Sequence, residues 1–175
     1  MTLFSCLFFV HAFAEYPAEW VSYRQKINKI IPSIPGWCPL DKANRMMNLI
    51  YETKPEVCVE VGIFGGSSYF PTLCALRFNQ KGVGYAIDPW ENLPCLEGQT
   101  GAHLDWWRKV DLRSILSGFI DLLHNYKLDK YSALMRMTSK DALVFFKDDS
   151  IDILHIDGNH SEDCALFDSQ NWLPK

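Results

Sequence analysis

The sequence lacks the charge runs and cysteine pairs that mark several large classes of protein. Lys and Arg number 17 and Asp and Glu number 21, which gives a formal net charge of −4. No stretch concentrates about five or six like charges, so we expect no nucleic-acid binding, which depends on clustered basic side chains. The six cysteines are scattered, without the close spacing of a zinc knuckle or a redox C-x-x-C pair. Neither a disulfide framework nor a cysteine metal cluster is indicated.

No apolar run is long enough to span a bilayer, so we expect no membrane span. A short apolar run, Leu3–Val10, precedes Ala12-Phe13-Ala14, which has the small-x-small form of a signal-peptidase site. However, no Lys or Arg stands before the run, so the positive n-region is missing. Residues 1–14 are therefore a possible signal-like leader. We expect a cytoplasmic protein, with export through this weak signal as the alternative.

Apolar side chains are abundant: 48% of the residues are hydrophobic and 14% are aromatic. A chain of this length and composition can bury a core without disulfides or bound metal ions. Residues 15–54 have helical spacing over 18–31 and again after Asp41, a suitable N-cap, until Lys54-Pro55. We therefore expect an N-terminal helical extension over 15–54, followed by a core over 55–175.

The core alternates strands and helices. Strands are expected at 57–61, 82–87, 131–137 and 151–156, with helices at 67–78, 103–126, 138–147 and 161–172. Such an order predicts an α/β fold with a Rossmann-like parallel sheet, right-handed crossovers and ligands at the carboxyl ends of the strands. The predicted core includes Val59, Val61, Leu73 and Leu134.

A glycine-rich turn, 62–66, follows the first strand and leads into a helix. Glycines allow close approach of a ligand, and the helix N-terminus favours a negative group. Phe64 takes the place of the second glycine of the dinucleotide fingerprint G-x-G-x-x-G, which disfavours an NAD-binding module. Glu60, at the end of the strand, would repel a diphosphate but can accept hydrogen bonds from an ammonium group. A cationic amino-acid moiety fits this turn better than a dinucleotide.

Acidic residues also follow the second and fourth strands. Asp88 can accept both hydroxyls of a ribose, and Trp90 can cover a purine. Asp157 and His160, three residues apart around a glycine turn, can hold a divalent metal or remove a proton from a substrate hydroxyl. His155 alternates with Asp157 and is expected to be a supporting or core histidine.

These motifs together resemble those of the class I S-adenosylmethionine-dependent methyltransferases, in particular the small-molecule type sometimes called methyltransferase domain family 24. The resemblance covers 36–174 through four segments in order: 59–68 (VEVGIFGGSS), 87–90 (IDPW), 139–142 (SKDA) and 151–161 (IDILHIDGNHS). It implies a methyltransferase that binds S-adenosylmethionine and methylates a hydroxyl of a small molecule or sugar.

The resemblance also implies roles for individual residues. The glycine turn and its flanks would hold the cofactor's methionine end, Asp88 its ribose, and Trp90 and Ser139 its adenine; the turn's residues are Glu60, Gly62, Gly65, Gly66 and Ser67. Asp157 would be a ligand of Mg²⁺. The residue types themselves make Asp157 and His160 the predicted catalytic residues, and Trp37, Trp106 and Trp107 are expected either to wall the acceptor pocket or to lie in the core.

The family's sheet continues beyond four strands, whereas this sequence gives only four. We therefore expect an incomplete sheet that lacks the C-terminal strands, with possible self-association through the edge of the fourth. A catalytically incompetent nucleoside-binding fragment is the alternative to an active enzyme.

Overall fold

The structure is a computed structural model that describes residues 16–175. The possible leader, 1–14, lies outside the described residues. Strands and helices alternate in the order that the sequence predicts. The helices are α1 Ala18–Asn28, α2 Leu40–Thr53, α3 Tyr69–Asn79, α4 Asn92–Cys95, α5 Gly101–Lys109, α6 Leu112–Asn125, α7 Ser139–Ala142 and α8 Glu162–Trp172; the strands are β1 Val57–Val61, β2 Val83–Ile87, β3 Ser132–Met135 and β4 Ile153–Ile156.

The four strands form one parallel sheet in the order β3-β2-β1-β4. β1 is therefore central, and its carboxyl end lies between those of β2 and β4. This arrangement confirms the predicted Rossmann-like α/β fold. Within residues 16–175, β4 pairs with β1 alone.

The two faces of the sheet carry separate clusters of buried side chains. Because successive residues of a strand point to opposite faces, Cys58 of β1 packs with α1, α2, α3 and α6, while Val59 and Val61 pack with α7, α8 and Phe146. Trp20 of α1 and Met47 of α2 are fully buried in the first cluster. The predicted N-terminal extension thus packs with α3 and α6 in the cluster on one side of the sheet.

Three expectations about local structure are wrong. The single helix predicted over 103–126 is two helices, α5 and α6, because the Asp111 side chain accepts the Ser114 N–H and starts a new helix. Leu134, predicted in the core, is 42% exposed, since β3 is an edge strand. Asp41 lies inside the first turn of α2 rather than capping it. In the part of the chain that the structure describes, no helix has both the length and the apolar character needed to cross a membrane.

Candidate active site

The glycine turn after β1 is enclosed by backbone and side chains from other parts of the chain. Gly62 has φ +85°, and a Cβ there would lie 2.1 Å from the Asp157 carbonyl oxygen, after β4. A Cβ on Gly65 would meet the Pro35 carbonyl oxygen at 2.3 Å, and one on Gly66 would meet the Phe119 ring at 2.8 Å. Each glycine is therefore required by a close approach that no larger residue allows.

Glu60 lies at the end of β1 and is only 2% exposed. Its Oε1 accepts a hydrogen bond from Ser68 Oγ at 2.5 Å, and this bond connects the end of β1 to the start of α3. In the part of the chain that the structure describes, its Oε2 is buried and makes no hydrogen bond, although it lies within ion-pair distance, 3.0 Å, of His155 Nδ1 on the neighbouring strand. A buried carboxylate oxygen without a donor is costly. Glu60 is therefore equipped to accept a cationic donor.

Asp88 holds the glycine turn against the end of β2. Its Oδ2 accepts the Ile63 and Phe64 N–H groups, both at 2.9 Å, and its Oδ1 accepts the Trp90 N–H at 2.7 Å. Burial raises the pKa of the Asp88 carboxyl, although these three donors lower it in part. Phe64 and Trp90 have positive φ angles of 53° and 44°, a strained conformation for large side chains. Asp88 thus stabilises strained backbone on both sides of the predicted ribose site.

Trp90 and Ser139, both assigned to the adenine by resemblance, have protein partners here. The Trp90 indole is buried, donates to the Phe64 carbonyl at 2.8 Å and stacks on Phe119. Ser139 donates to the buried Asp168 carboxylate of α8, and the Trp172 indole donates to Ser139 Oγ at 2.7 Å. Both side chains join helices or loops around the strand ends, and their contact with adenine stays a prediction. Ser67, also predicted, is buried beside Gly36.

Asp157 is the centre of a charged cluster at the carboxyl end of β4. His160 Nε2 lies 3.1 Å from Oδ1, Lys42 Nζ lies 3.3 Å from Oδ2, and His155 Nε2 lies 3.9 Å from Oδ2. Burial acts to raise the pKa of the Asp157 carboxyl, but the neighbouring Lys42 and the two histidines outweigh it and lower the pKa. Asp157 is therefore a stable carboxylate that can orient His160 and Lys42.

This cluster does not suit a magnesium ion. Mg²⁺ prefers several oxygen ligands in a near-octahedral arrangement, whereas nitrogen groups surround the Asp157 oxygens. Within residues 16–175, no three His, Cys, Asp or Glu side chains are grouped so as to hold a metal ion. The predicted assignment of Asp157 as a metal ligand gains no support.

An aromatic surface lies beside the glycine turn. Trp37 stacks on Phe64 at 5.1 Å between ring centroids, and Trp106 lies 5.7 Å from Trp37 and 4.7 Å from Trp107. Trp37 is 70% exposed and Trp106 is 42% exposed. Neither therefore belongs to the core, and both are available to contact a ligand.

Two further residues complete the surroundings of the site, and the sequence analysis gave neither of them a role. Lys42 lies in α2, and only the packing of α2 against α3 brings it to Asp157. Asn159 accepts from Gln99 Nε2 at 2.7 Å and donates to the Glu97 carbonyl at 2.8 Å. It thereby ties the segment after β2 to the turn after β4. Asn159 lies within a motif, whereas nothing in the local sequence marks Lys42.

Sequence comparison gives one family and one curated relative. The profile of a family described as "Methyltransferase domain" matches residues 59–175, more than half of the chain. An uncharacterised protein, y4gI, from Sinorhizobium fredii is 28% identical over 130 residues, which are 74% of this chain and 13% of that protein. The chain thus spans a small part of this relative.

Solved structures agree with the fold. The O-methyltransferase TomG from Streptomyces achromogenes, in complex with SAM, has a TM-score of 0.53 and 14% identity, with 91% of this chain and 63% of that chain covered. The O-methyltransferase from Bacillus cereus in complex with SAH covers 86% of this chain and 61% of its own, at 16% identity and a TM-score of 0.48. At such low identity the first similarity establishes the fold alone, and the second is too weak to support an argument.

Proposed function

Because the chain belongs to the methyltransferase-domain family, we propose that it is an S-adenosylmethionine-dependent methyltransferase that acts on a hydroxyl of a small molecule or sugar. The observation that carries this proposal is the meeting of Glu60, Asp88 and Asp157 at the carboxyl ends of three neighbouring strands. Ligands of open α/β sheets bind at this edge. TomG, an O-methyltransferase with SAM bound, has the same fold and supports the choice.

The residues present fit S-adenosylmethionine. Glu60 offers Oε2, which lies beside the His155 ring, to an ammonium group. The turn of Gly62, Gly65, Gly66 and Ser67 surrounds the same strand end, and Asp88 Oδ1, which accepts the Trp90 N–H, would also accept a ribose hydroxyl. When bound, S-adenosylmethionine would supply an electrophilic methyl carbon, carried on its sulfonium, for transfer to the acceptor oxygen. Within the same proposal, Trp90 and Ser139 border the adenine.

Asp157 and His160 prepare the acceptor oxygen. Because His160 Nε2 lies 3.1 Å from Asp157 Oδ1, we assign the ring proton to Nε2, which leaves Nδ1 as the proton acceptor. His160 Nδ1 then takes the proton of the acceptor hydroxyl, and Asp157 stabilises the resulting imidazolium. Trp37 and Trp106 provide an apolar wall for the body of the acceptor.

Isothermal titration calorimetry with S-adenosylhomocysteine tests the cofactor part. We expect the wild type to bind S-adenosylhomocysteine and Glu60→Gln to bind it with an affinity lower by about tenfold or more, since charge-assisted hydrogen bonds contribute about 1.5–3 kcal/mol. Glu56→Gln is the matched control, because Glu56 lies just before the opposite end of β1 in an exposed pair with Lys81. Binding of NAD without S-adenosylhomocysteine would refute the proposal.

Transfer of a labelled methyl group from S-adenosylmethionine to a panel of hydroxyl compounds tests the reaction. The double variant Asp157→Asn, His160→Ala should still bind S-adenosylhomocysteine but lose turnover. Unchanged turnover in this variant would exclude the proposed roles of both residues. Cofactor binding by the wild type without turnover of any acceptor would favour a nucleoside-binding protein that is not an enzyme.

A further inference from the structure

Lys42 places a cationic group beside Asp157. Its Nζ is 3.3 Å from Asp157 Oδ2, on the opposite carboxylate oxygen from His160. The side chain is 39% exposed, so the ammonium contacts Asp157 and remains accessible to a ligand. Lys42 belongs to α2, 115 residues away from Asp157 in sequence, and the packing of α2 against α3 fixes its position. This contact is therefore a property of the tertiary fold.

Resting on the proposed function, we propose that the Lys42 ammonium is the fixed cation of the acceptor site, binds the acceptor oxygen beside Asp157 and makes a divalent metal unnecessary. Asp157 holds Lys42 through one carboxylate oxygen and His160 through the other. The acceptor oxygen gives its proton to His160 Nδ1 and gains negative charge, which Lys42 stabilises by hydrogen bonding and charge. Lys42 thus acts on the substrate oxygen, and His160 acts on its proton.

The donor set supports this assignment over a magnesium ion. An ammonium at 3.3 Å from Asp157 Oδ2 repels a divalent cation at the same oxygen. The carboxylate at the end of the neighbouring strand, Glu60, is buried and is engaged by Ser68 and His155. Asp157 therefore has no second carboxylate with which to share a metal, in the part of the chain that the structure describes.

The Lys42–Asp157 contact could instead be a purely structural salt bridge. The substrate-cation role and the structural role predict different effects of Lys42→Met. Exposed ion pairs contribute little to stability, so loss of a structural pair would alter only the melting temperature, and slightly. Loss of a substrate cation would weaken oxyanion binding and lower kcat. Lys81→Met is the matched control, since Lys81 forms an exposed pair with Glu56 at 3.2 Å at the opposite end of the sheet.

The direct probe is 4-nitrophenolate, an aromatic oxyanion whose absorption shifts on binding, added to protein saturated with S-adenosylhomocysteine. We expect Lys42→Met to weaken its binding by about tenfold or more, the usual effect of losing a charge-assisted contact. Lys42→Arg should retain most of the affinity, and Lys81→Met should match the wild type. Equal binding by Lys42→Met and wild type, or no binding by a wild type that does bind S-adenosylhomocysteine, would overturn the proposal.

Manganese binding, followed by electron paramagnetic resonance of Mn²⁺ alone, separates this proposal from the function on which it rests. We expect weak binding by the wild type and tighter binding by Lys42→Met, because the neutral side chain no longer repels a cation from Asp157. Wild-type Mn²⁺ binding as tight as that of Lys42→Met would refute the Lys42 assignment, whatever the outcome with S-adenosylhomocysteine. A wild type that binds no S-adenosylhomocysteine would instead refute the proposed function.

Once an acceptor is identified, the assignment of Lys42 also predicts the kinetics of methyl transfer to it. Activity should be unchanged by EDTA or added Mg²⁺, and Lys42→Met should lower kcat by about 100-fold, the effect typical of removing one donor to a developing oxyanion. Partial recovery in Lys42→Arg would distinguish a charge effect from a packing effect. Activity that requires Mg²⁺ and persists in Lys42→Met would contradict the assignment.

Discussion

Replacement of Gly62 by alanine tests whether the turn after β1 is fixed by its close approach to β4. Gly62 has φ +85°, and the new Cβ would lie 2.1 Å from the Asp157 carbonyl oxygen and 2.7 Å from Gly158 Cα. Both are backbone atoms, so no flexible side chain can move aside. The positive φ costs about 1–2 kcal/mol for alanine, and overpacking adds about 1–3 kcal/mol.

The expected loss of about 2–5 kcal/mol is a large part of a net stability of about 5–15 kcal/mol. For a chain of this size each kcal/mol lowers the melting temperature by about 2–4 °C. Differential scanning calorimetry should therefore show a decrease of about 10 °C for Gly62→Ala. S-adenosylhomocysteine binding should weaken as well, since the turn would have to move.

Substitutions at two other glycines separate the cost of a positive φ from the cost of overpacking. Gly101 has φ +56°, and no atom of residues 16–175 lies within 4 Å of a Cβ there, so Gly101→Ala should lose only the backbone contribution of about 1–2 kcal/mol. Gly118 lies inside α6, where a Cβ would have no neighbour within 4 Å among the described residues, so Gly118→Ala should increase the stability by about 0.5–1 kcal/mol. If Gly62→Ala is no more destabilising than Gly101→Ala, the close approach to β4 is not what requires glycine at Gly62.

Two further outcomes follow from particular contacts. The N–H groups of Val57 and Glu56 lower the pKa of the Asp152 carboxyl, so its contribution to stability is present above the unfolded pKa and lost as pH falls through the folded one. Urea unfolding should find Asp152→Asn less stable than wild type at neutral pH and equal to it in acid, and a difference independent of pH would contradict this origin. Asn159→Ala should speed chymotrypsin cleavage within 96–107 roughly tenfold, since each hydrogen bond it loses contributes about 0.5–1.5 kcal/mol. Asn171→Ala, which loses only a bond to the Phe167 carbonyl in its own helix, is the control, and equal cleavage of both variants would show that Asn159 does not hold this segment.

The order of elements could be predicted from the sequence because local patterns determine it. The β-branched residues Val57, Val59 and Val61 predict a strand without any knowledge of the fold. The glycines that follow favour a turn. Parallel strands with helical crossovers then place Glu60, Asp88 and Asp157 at one edge. Those three positions required no tertiary information beyond the topology.

Errors occurred where two local signals competed. The apolar spacing of 103–126 continues across Asp111, so periodicity alone predicts one helix. However, the Asp111 side chain accepts the Ser114 N–H and caps the start of a second helix. Leu134 alternates like a core residue, yet its exposure depends on β3 being at the edge of the sheet. The exposure of a strand residue depends on its neighbours in space, which periodicity does not contain.

The sequence by itself determined the parallel α/β class, the glycine turn and the acidic residues at the strand ends, because spacing along the chain specifies each of them. Only the tertiary structure decided that Lys42 would lie beside Asp157, that Asp88 would hold the Phe64 and Trp90 backbone, and that Trp37 would be exposed on an aromatic surface. The physical reason is that these contacts join segments far apart in the chain. They form only when burial of the apolar faces of the helices packs those helices against the sheet.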